Sequence, residues 1–273
     1  MKEFITGISS DTKLLVCKSI PFMYLNNQLS FLELRLLDTY LSRINPKDAR
    51  YEKRVIRFSK LELEELLNIK INTTELEEAL NNLEKNTFTI IDNKNKEEIE
   101  IKLFKNASKR QENGSTAFIT LECSEEAHEY IFNLKQYVKY DIREALQFTS
   151  KSVYMIYQYI KQNEKKCGWK IRTDELKEIL GVEDKYKEFS NFEKVIKNSL
   201  KEIEKKTDLK VHYIKHKKYN RVYEIEFNIQ WWKEEKPKKT SKKKESTIEV
   251  ILEKDTDEEF AEIWKNDNYI PFE

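Results

Sequence analysis

The chain has 273 residues, 36% of them charged and 39% hydrophobic, with a formal net charge of +1. That length suits one large domain or two small ones, and no apolar run reaches the roughly 20 residues of a membrane span. Four glycines and four prolines disfavour glycine-rich nucleotide folds, and three scattered cysteines (Cys17, Cys123, Cys167) argue against a disulfide framework.

Met1 to Ser10 carries Glu3 and lacks an apolar core, so it does not read as a secretory signal and a cytoplasmic location is expected. Phe31, Leu34, Leu37, Leu41 and Ile44 recur at helical spacing and predict an amphipathic helix that stops at Asn45-Pro46. Phe58 to Ile69 then reads as a strand end, a capping Ser59 and a short helix, with Asn68 suited to a left-handed stop. Leu76, Ala79, Leu80 and Leu83 mark the next helix, which runs through Glu84 to Thr87 into strand-like sequence. A hairpin is expected from alternating Ile99, Ile101 and Leu103, a polar loop with Gly114, and Phe118 to Cys123.

The same order then recurs. Val153, Ile156, Tyr157 and Ile160 mark a helix. Ile171 to Val182 repeats the pattern of Phe58 to Ile69, with Thr173 as the cap and Gly181 as the stop. Ile196, Ser199, Leu200 and Ile203 match Leu76 to Leu83, and Glu204 to Thr207 matches Glu84 to Thr87. Val211 and Tyr213, a turn at Lys217 to Asn220, and alternating Tyr223, Ile225, Phe227 and Ile229 form the second hairpin. Helix, short strand, helix, helix and hairpin is the order of a winged helix-turn-helix. An α+β fold of two tandem winged-helix domains is therefore expected; the alternative is two unrelated small α+β domains. The expected boundaries are 1–140 and 141–232, followed by a tail at 233–273.

With a net charge near zero, any DNA affinity must come from a local basic face. The second helix of a helix-turn-helix pair enters the major groove. At 100° per residue, the helix from about Asn191 to Lys205 puts Phe192, Val195, Ile196, Ser199, Leu200 and Ile203 on one side. Ser190, Asn191, Lys194, Lys197, Asn198, Lys201 and Lys205 fall on the other, with Glu193, Glu202 and Glu204 at the flanks. Lysine can meet guanine edges or phosphates, and asparagine can pair with adenine. The following hairpin adds Lys206, Lys210, Lys215, Lys217, Lys218, Tyr219 and Arg221, opposed mainly by Asp208, as a wing for the backbone or minor groove. The bland alternative is an ordinary solvated helix face. The equivalent first helix offers Thr74, Glu78, Asn81, Asn82 and Lys85, a nearly neutral face, beside a loop with Lys105, Lys109 and Arg110. The first domain is therefore expected to make weaker contacts or to dimerise, and the second to specify sequence.

Several stretches resemble the initiator replication proteins of theta-replicating plasmids, the iteron-binding Rep proteins. The most specific are Leu176 to Val182, Lys185-Tyr186, Phe189, Phe192, Val195, Lys201 to Ile203 and Thr207 to Leu209. Ser30 to Glu33 and Ser152 to Lys161 also fit, and the resemblance covers roughly Leu14 to Trp231. Two positions depart: Glu204 stands where an Asn is usual, and Met155 where an Arg is usual. The resemblance implies monomer binding to direct repeats at a plasmid origin, opening of an adjacent AT-rich duplex, and recruitment of host replication proteins. It also implies dimers, joined through the first domain, that repress their own gene. The alternatives are a winged-helix transcriptional regulator without a replication role and a scaffold whose basic face meets an acidic protein.

No phosphate-binding Gly-x-x-x-x-Gly-Lys loop is present, which argues against an ATP-driven helicase. His128, His212 and His216 form no His-apolar-His nuclease motif. His212 and His216 could share a strand face, yet zinc sites want three or four ligands. Neither catalysis, a metal nor a cofactor is expected. Lys233 to Ser246 reads as a disordered basic linker. Asp255, Asp257, Glu258 and Glu259, then Phe260, Ile263 and Trp264, read as a short acidic amphipathic helix for a partner; the alternatives are a frayed tail or one that folds back on the basic face.

Overall fold

The computed structural model describes residues 14–47, 54–91, 97–112, 116–132, 134–219 and 221–230. The basic linker and acidic helix expected at 233–273, and the turn residues Gly114 and Asn220, lie outside the described residues.

The chain enters through β1 (Leu15–Ser19), α1 (Ile20–Met23) and a 3-10 turn at Tyr24–Asn27. Helix α2 (Phe31–Ser42) starts at a capping box. The Ser30 hydroxyl accepts from the Glu33 N–H at 3.3 Å, and the Glu33 carboxylate accepts from the Ser30 N–H at 2.7 Å. Every residue from Leu32 to Ser42 is buried, so α2 is a central helix and the expected amphipathic character is corrected. Two of its buried charges find partners: Arg35 donates to the Phe148 carbonyl at 2.8 Å, and Asp38 lies 3.3 Å from Lys18.

Strand β2 (Val55–Ser59) leads into α3 (Lys60–Leu67) and α4 (Thr73–Lys85). Ser59 caps α3 by accepting from the Glu62 N–H at 3.0 Å, and Asn68 ends it in the left-handed region at φ 51°. Helix α4 buries Leu76, Ala79, Leu80 and Leu83, as their spacing predicts.

The hairpin of the first half differs from expectation. Strands β3 (Thr87–Ile91) and β4 (Glu98–Lys102) pair with each other, Phe88 opposite Ile101 and Ile90 opposite Ile99. Strand β5 (Phe104–Glu112) forms the hairpin with β6 (Thr116–Cys123), and β2 joins β6. Ile99 and Ile101 thus belong to an inserted ribbon. Alternation shows which face of a strand is apolar but not which strand lies beside it.

Strand β7 (Tyr137–Asp141) returns to pair antiparallel with β1. Helices α5 (Ile142–Leu146) and α6 (Lys151–Asn163), strand β8 (Gly168–Arg172), helices α7 (Thr173–Ile179) and α8 (Phe189–Lys206), and strands β9 (Lys210–Lys218) and β10 (Arg221–Gln230) complete the chain. Helix α6 is also buried without interruption from Val153 to Ile160. Gly181 takes φ 59°, the left-handed stop expected of it. Thr173 does not cap α7. It is the first helical residue, and its hydroxyl donates to the Val222 carbonyl of β10 at 3.2 Å.

The doubling survives in three dimensions. The sheet orders are β2-β6-β5 and β8-β10-β9, so each strand before a helix pair bonds to the last strand of its own hairpin. These are two winged helices.

Candidate nucleic-acid interface

Helix α8 buries Phe192, Ile196, Ser199, Leu200 and Ile203. Val195 is half-buried, while Ser190, Asn191, Lys194, Lys197, Asn198, Lys201 and Lys205 are all exposed. The 3.6-residue period forces this division once the apolar side docks. Phe192 anchors the helix start, with Tyr186 and Phe189 against its ring at 6.0 and 6.3 Å. Lys177 of α7 donates to the Tyr186 carbonyl at 2.8 Å, which ties the connecting turn to the first helix of the pair.

At the other end, Glu202 accepts from the Thr149 N–H at 2.9 Å and from Lys206 at 2.7 Å. Lys206 also donates to the Gln147 carbonyl at 2.6 Å. Lys206 therefore anchors α8 to the segment before α6. Lys210 lies 4.0 Å from Glu204, one of the two positions that depart from the Rep pattern. The other, Met155, is 1% exposed and belongs to the core.

The wing is β9, its turn and the start of β10. Lys217, Lys218, Tyr219 and Arg221 are exposed, Tyr219 at 90% with φ 49°. The Lys218 Nζ sits 5.8 Å from the Tyr219 ring centre. Among the described residues, Lys201, Lys205, Lys217, Lys218 and Arg221 have no acidic partner, and Lys194 meets only Asn191, at 3.4 Å.

Lys197 and Lys215 differ. Glu193, one turn inside α8, lies 3.1 Å from Lys197 and 2.9 Å from Lys215, and accepts from the Tyr213 hydroxyl at 2.7 Å. Those bonds, from Lys215 first and then Tyr213, hold its carboxyl far down, at about 2. The Glu193–Lys197 spacing was legible in the sequence. The links to Tyr213 and Lys215 cross from helix to strand, and sequence reasoning missed them.

The described residues of the first half do not repeat this arrangement. Thr74, Glu78, Asn81, Asn82 and Lys85 are exposed on α4, and Asn82 donates to Glu33 at 3.0 Å. Lys105, Lys109 and Arg110 lie in strand β5, not in a loop. Lys105 is 3.6 Å from Glu122, Lys109 is 2.7 Å from Glu77, and Arg110 is exposed.

His212 and His216 do share the outer face of the second sheet, His212 beside Gln230 at 3.1 Å and His216 beside Glu226 at 2.8 Å. Among the described residues, no group of three or more His, Cys, Asp or Glu side chains is placed to hold a metal ion. Likewise, no described helix is long and apolar enough to cross a membrane.

Two winged helices in one chain, the second with an exposed basic helix and wing, define a tandem winged-helix protein. The family model described as Initiator Replication protein, WH1 matches residues 15–161, and that described as Initiator Rep protein, WH2 matches residues 172–229. The chain belongs to the initiator replication protein family. The WH1 match runs through α6. No curated protein matches the sequence. Among solved structures, the chain is similar to the Pi initiator protein in complex with iteron DNA, with TM-score 0.68 and 20% identity over 80% of this chain and 98% of that one. A fragment containing domains 2 and 3 of RctB also matches, with TM-score 0.41 and 13% identity over 77% of this chain and 81% of that one.

Proposed function

We propose that this chain initiates plasmid replication by binding direct repeats at the origin as a monomer, through the second winged helix. Ser190, Asn191, Lys194, Lys197, Asn198, Lys201 and Lys205 of α8 face the major groove. Lys215, Lys217, Lys218, Tyr219 and Arg221 of the wing follow the adjacent backbone. The carrying observation is the exposed basic and amide-bearing stripe of α8, adjoined by a wing whose Lys217, Lys218 and Arg221 have no acidic partner among the described residues. The similarity to a Pi initiator solved with iteron DNA supports direct repeats as the target.

The division of labour belongs to the same reading. Residues 1–140 dimerise and add auxiliary DNA contacts, and the dimer represses the chain's own gene. Residues 141–232 specify the sequence. The bound protein promotes opening of a nearby duplex and recruits host replication proteins in the cytoplasm. It works by binding, without catalysis or cofactor.

Footprinting on the DNA that flanks the gene is the direct test, followed by asking whether that DNA and this protein sustain an origin-less plasmid. Protection of spaced direct repeats and plasmid maintenance are expected. Protection of a lone inverted repeat, with no maintenance, points instead to a transcriptional regulator.

A further inference from the structure

Glu193 is the odd residue of the basic interface. A helix meant only to attract phosphate gains nothing from a carboxylate beside its lysines. Yet Glu193 is placed with care: its side chain is 14% exposed, and it is gripped by Lys197 at 3.1 Å, Lys215 at 2.9 Å and Tyr213 at 2.7 Å. Lys197 is on its own helix one turn on, whereas Tyr213 and Lys215 are on strand β9, two apart and facing the same way. Thus a single carboxylate spans helix and wing and engages one cation of each.

We propose that Glu193 is a specificity-determining residue that occupies Lys197 and Lys215 internally, so that neither is available to phosphates of arbitrary sequence. This rests on the DNA-binding reading above. Binding to any duplex releases counterions in proportion to the phosphates neutralised. A lysine already paired with Glu193 must give up that partner before it can neutralise a phosphate. Random DNA offers no compensation for this exchange, while a matched site supplies base contacts that do. Glu193 therefore lowers the background against which the specific site competes, and background sites are the more numerous by orders of magnitude. Lys194, Lys201, Lys205, Lys217, Lys218 and Arg221, with no acidic partner among the described residues, supply the unconditional attraction.

The test uses the full chain and a mixed-sequence duplex, with affinity measured over a range of salt concentrations. Glu193→Gln frees two lysines, so its log-affinity against log-salt slope steepens by about 1 to 2, at about 0.9 per phosphate. Near 0.1 M salt this corresponds to roughly tenfold tighter non-specific binding per freed lysine. Added to Glu193→Gln, the pair Lys197→Gln and Lys215→Gln cancels the steepening, because those two lysines are what it frees. Tyr213→Phe removes the neutral tether alone and leaves the slope of the unaltered protein as it was. An unaltered slope in a folded Glu193→Gln variant overturns the proposal, and so does a steepening that survives the added removal of Lys197 and Lys215. If the unaltered protein shows no salt-dependent affinity for any duplex, it is the DNA-binding reading that fails.

Discussion

The Lys18 ammonium lies 3.3 Å from the Asp38 carboxylate, and both side chains are wholly buried. Lys18 is on β1 and Asp38 is in the middle of α2. Gln158 of α6 completes the arrangement, with its amide nitrogen donating to Asp38 at 2.7 Å and its oxygen accepting from Asn26 at 2.8 Å. The hydroxyls of Tyr140 and Tyr154 also donate to Asp38. Burial pushes the Lys18 ammonium down, against the pull of Asp38. The network joins the entry strand, the buried helix of the first winged helix and the helix that opens the second.

Removing one member leaves the other charge buried and unmatched. Lys18→Met is expected to destabilise the chain by about 3 to 5 kcal/mol, as for other broken buried pairs. Asp38→Ala takes the shared acceptor from the Tyr140 and Tyr154 hydroxyls and the Gln158 amide, as well as the partner of Lys18, and should cost at least as much. Denaturant unfolding of both variants measures this. A loss below about 1 kcal/mol, as for an exposed pair, contradicts the arrangement.

The lysines of α8 with no acidic partner among the described residues set a second expectation. Lys201→Ala with Lys205→Ala should make the salt dependence of DNA binding shallower by about 2 if each meets one phosphate. Charge reversal of Lys194, Lys197 and Lys201 to Glu should abolish specific binding. Lys85→Glu, on the equivalent helix of the first half, should leave most of it. Gel shifts on the footprinted DNA decide, and the opposite pattern would place sequence reading in the first winged helix.

The depressed carboxyl of Glu193 has a consequence for acid stability. Its folded value, about 2, lies below the ordinary range because Lys215, Tyr213 and Lys197 hold the charged form. The unfolded chain takes up the proton first as pH falls. The stabilisation is full above the ordinary carboxylate range and is lost as pH falls toward about 2. Glu193→Gln should be less stable than the unaltered chain at neutral pH, and the gap should narrow over that acid window. Unfolding curves at a series of pH values show whether it does.

Gly181 gives a local prediction. It holds φ 59°, and an added Cβ would meet the Asn27 side-chain oxygen at 3.3 Å. Asn27 itself donates to the Glu178 carbonyl at 2.7 Å, so it has little room to retreat. Gly181→Ala is expected to cost about 1 to 2 kcal/mol from the left-handed backbone alone. Asn68→Gly at the matching stop, φ 51°, should be neutral or stabilising. Thermal unfolding of the pair tests the contrast.

Much of this protein was legible in its sequence because the signals are local. The period of Leu76, Ala79, Leu80 and Leu83, repeated at Ile196, Ser199, Leu200 and Ile203, specifies which side of each helix is buried, whatever it packs against. Ser59 and Asn68 bracket α3 through bonds within a few residues. The outward stripe of α8 follows from the same period. What sequence reading could not supply is pairing between distant segments. Ile99 and Ile101 alternate equally well whether they face β3 or β6, so the inserted ribbon appeared only with the sheet itself. Glu193 reads as a flanking charge until β9 brings Tyr213 and Lys215 to it. Asp38 reads as the polar side of an amphipathic helix, and it is buried because β1, β7 and α6 close over α2 and bring it Lys18, Tyr140, Tyr154 and Gln158. Local periodicity determined the two winged helices and the basic face; the tertiary structure decided which charges are spent inside the molecule, since that depends on contacts between residues far apart in the chain.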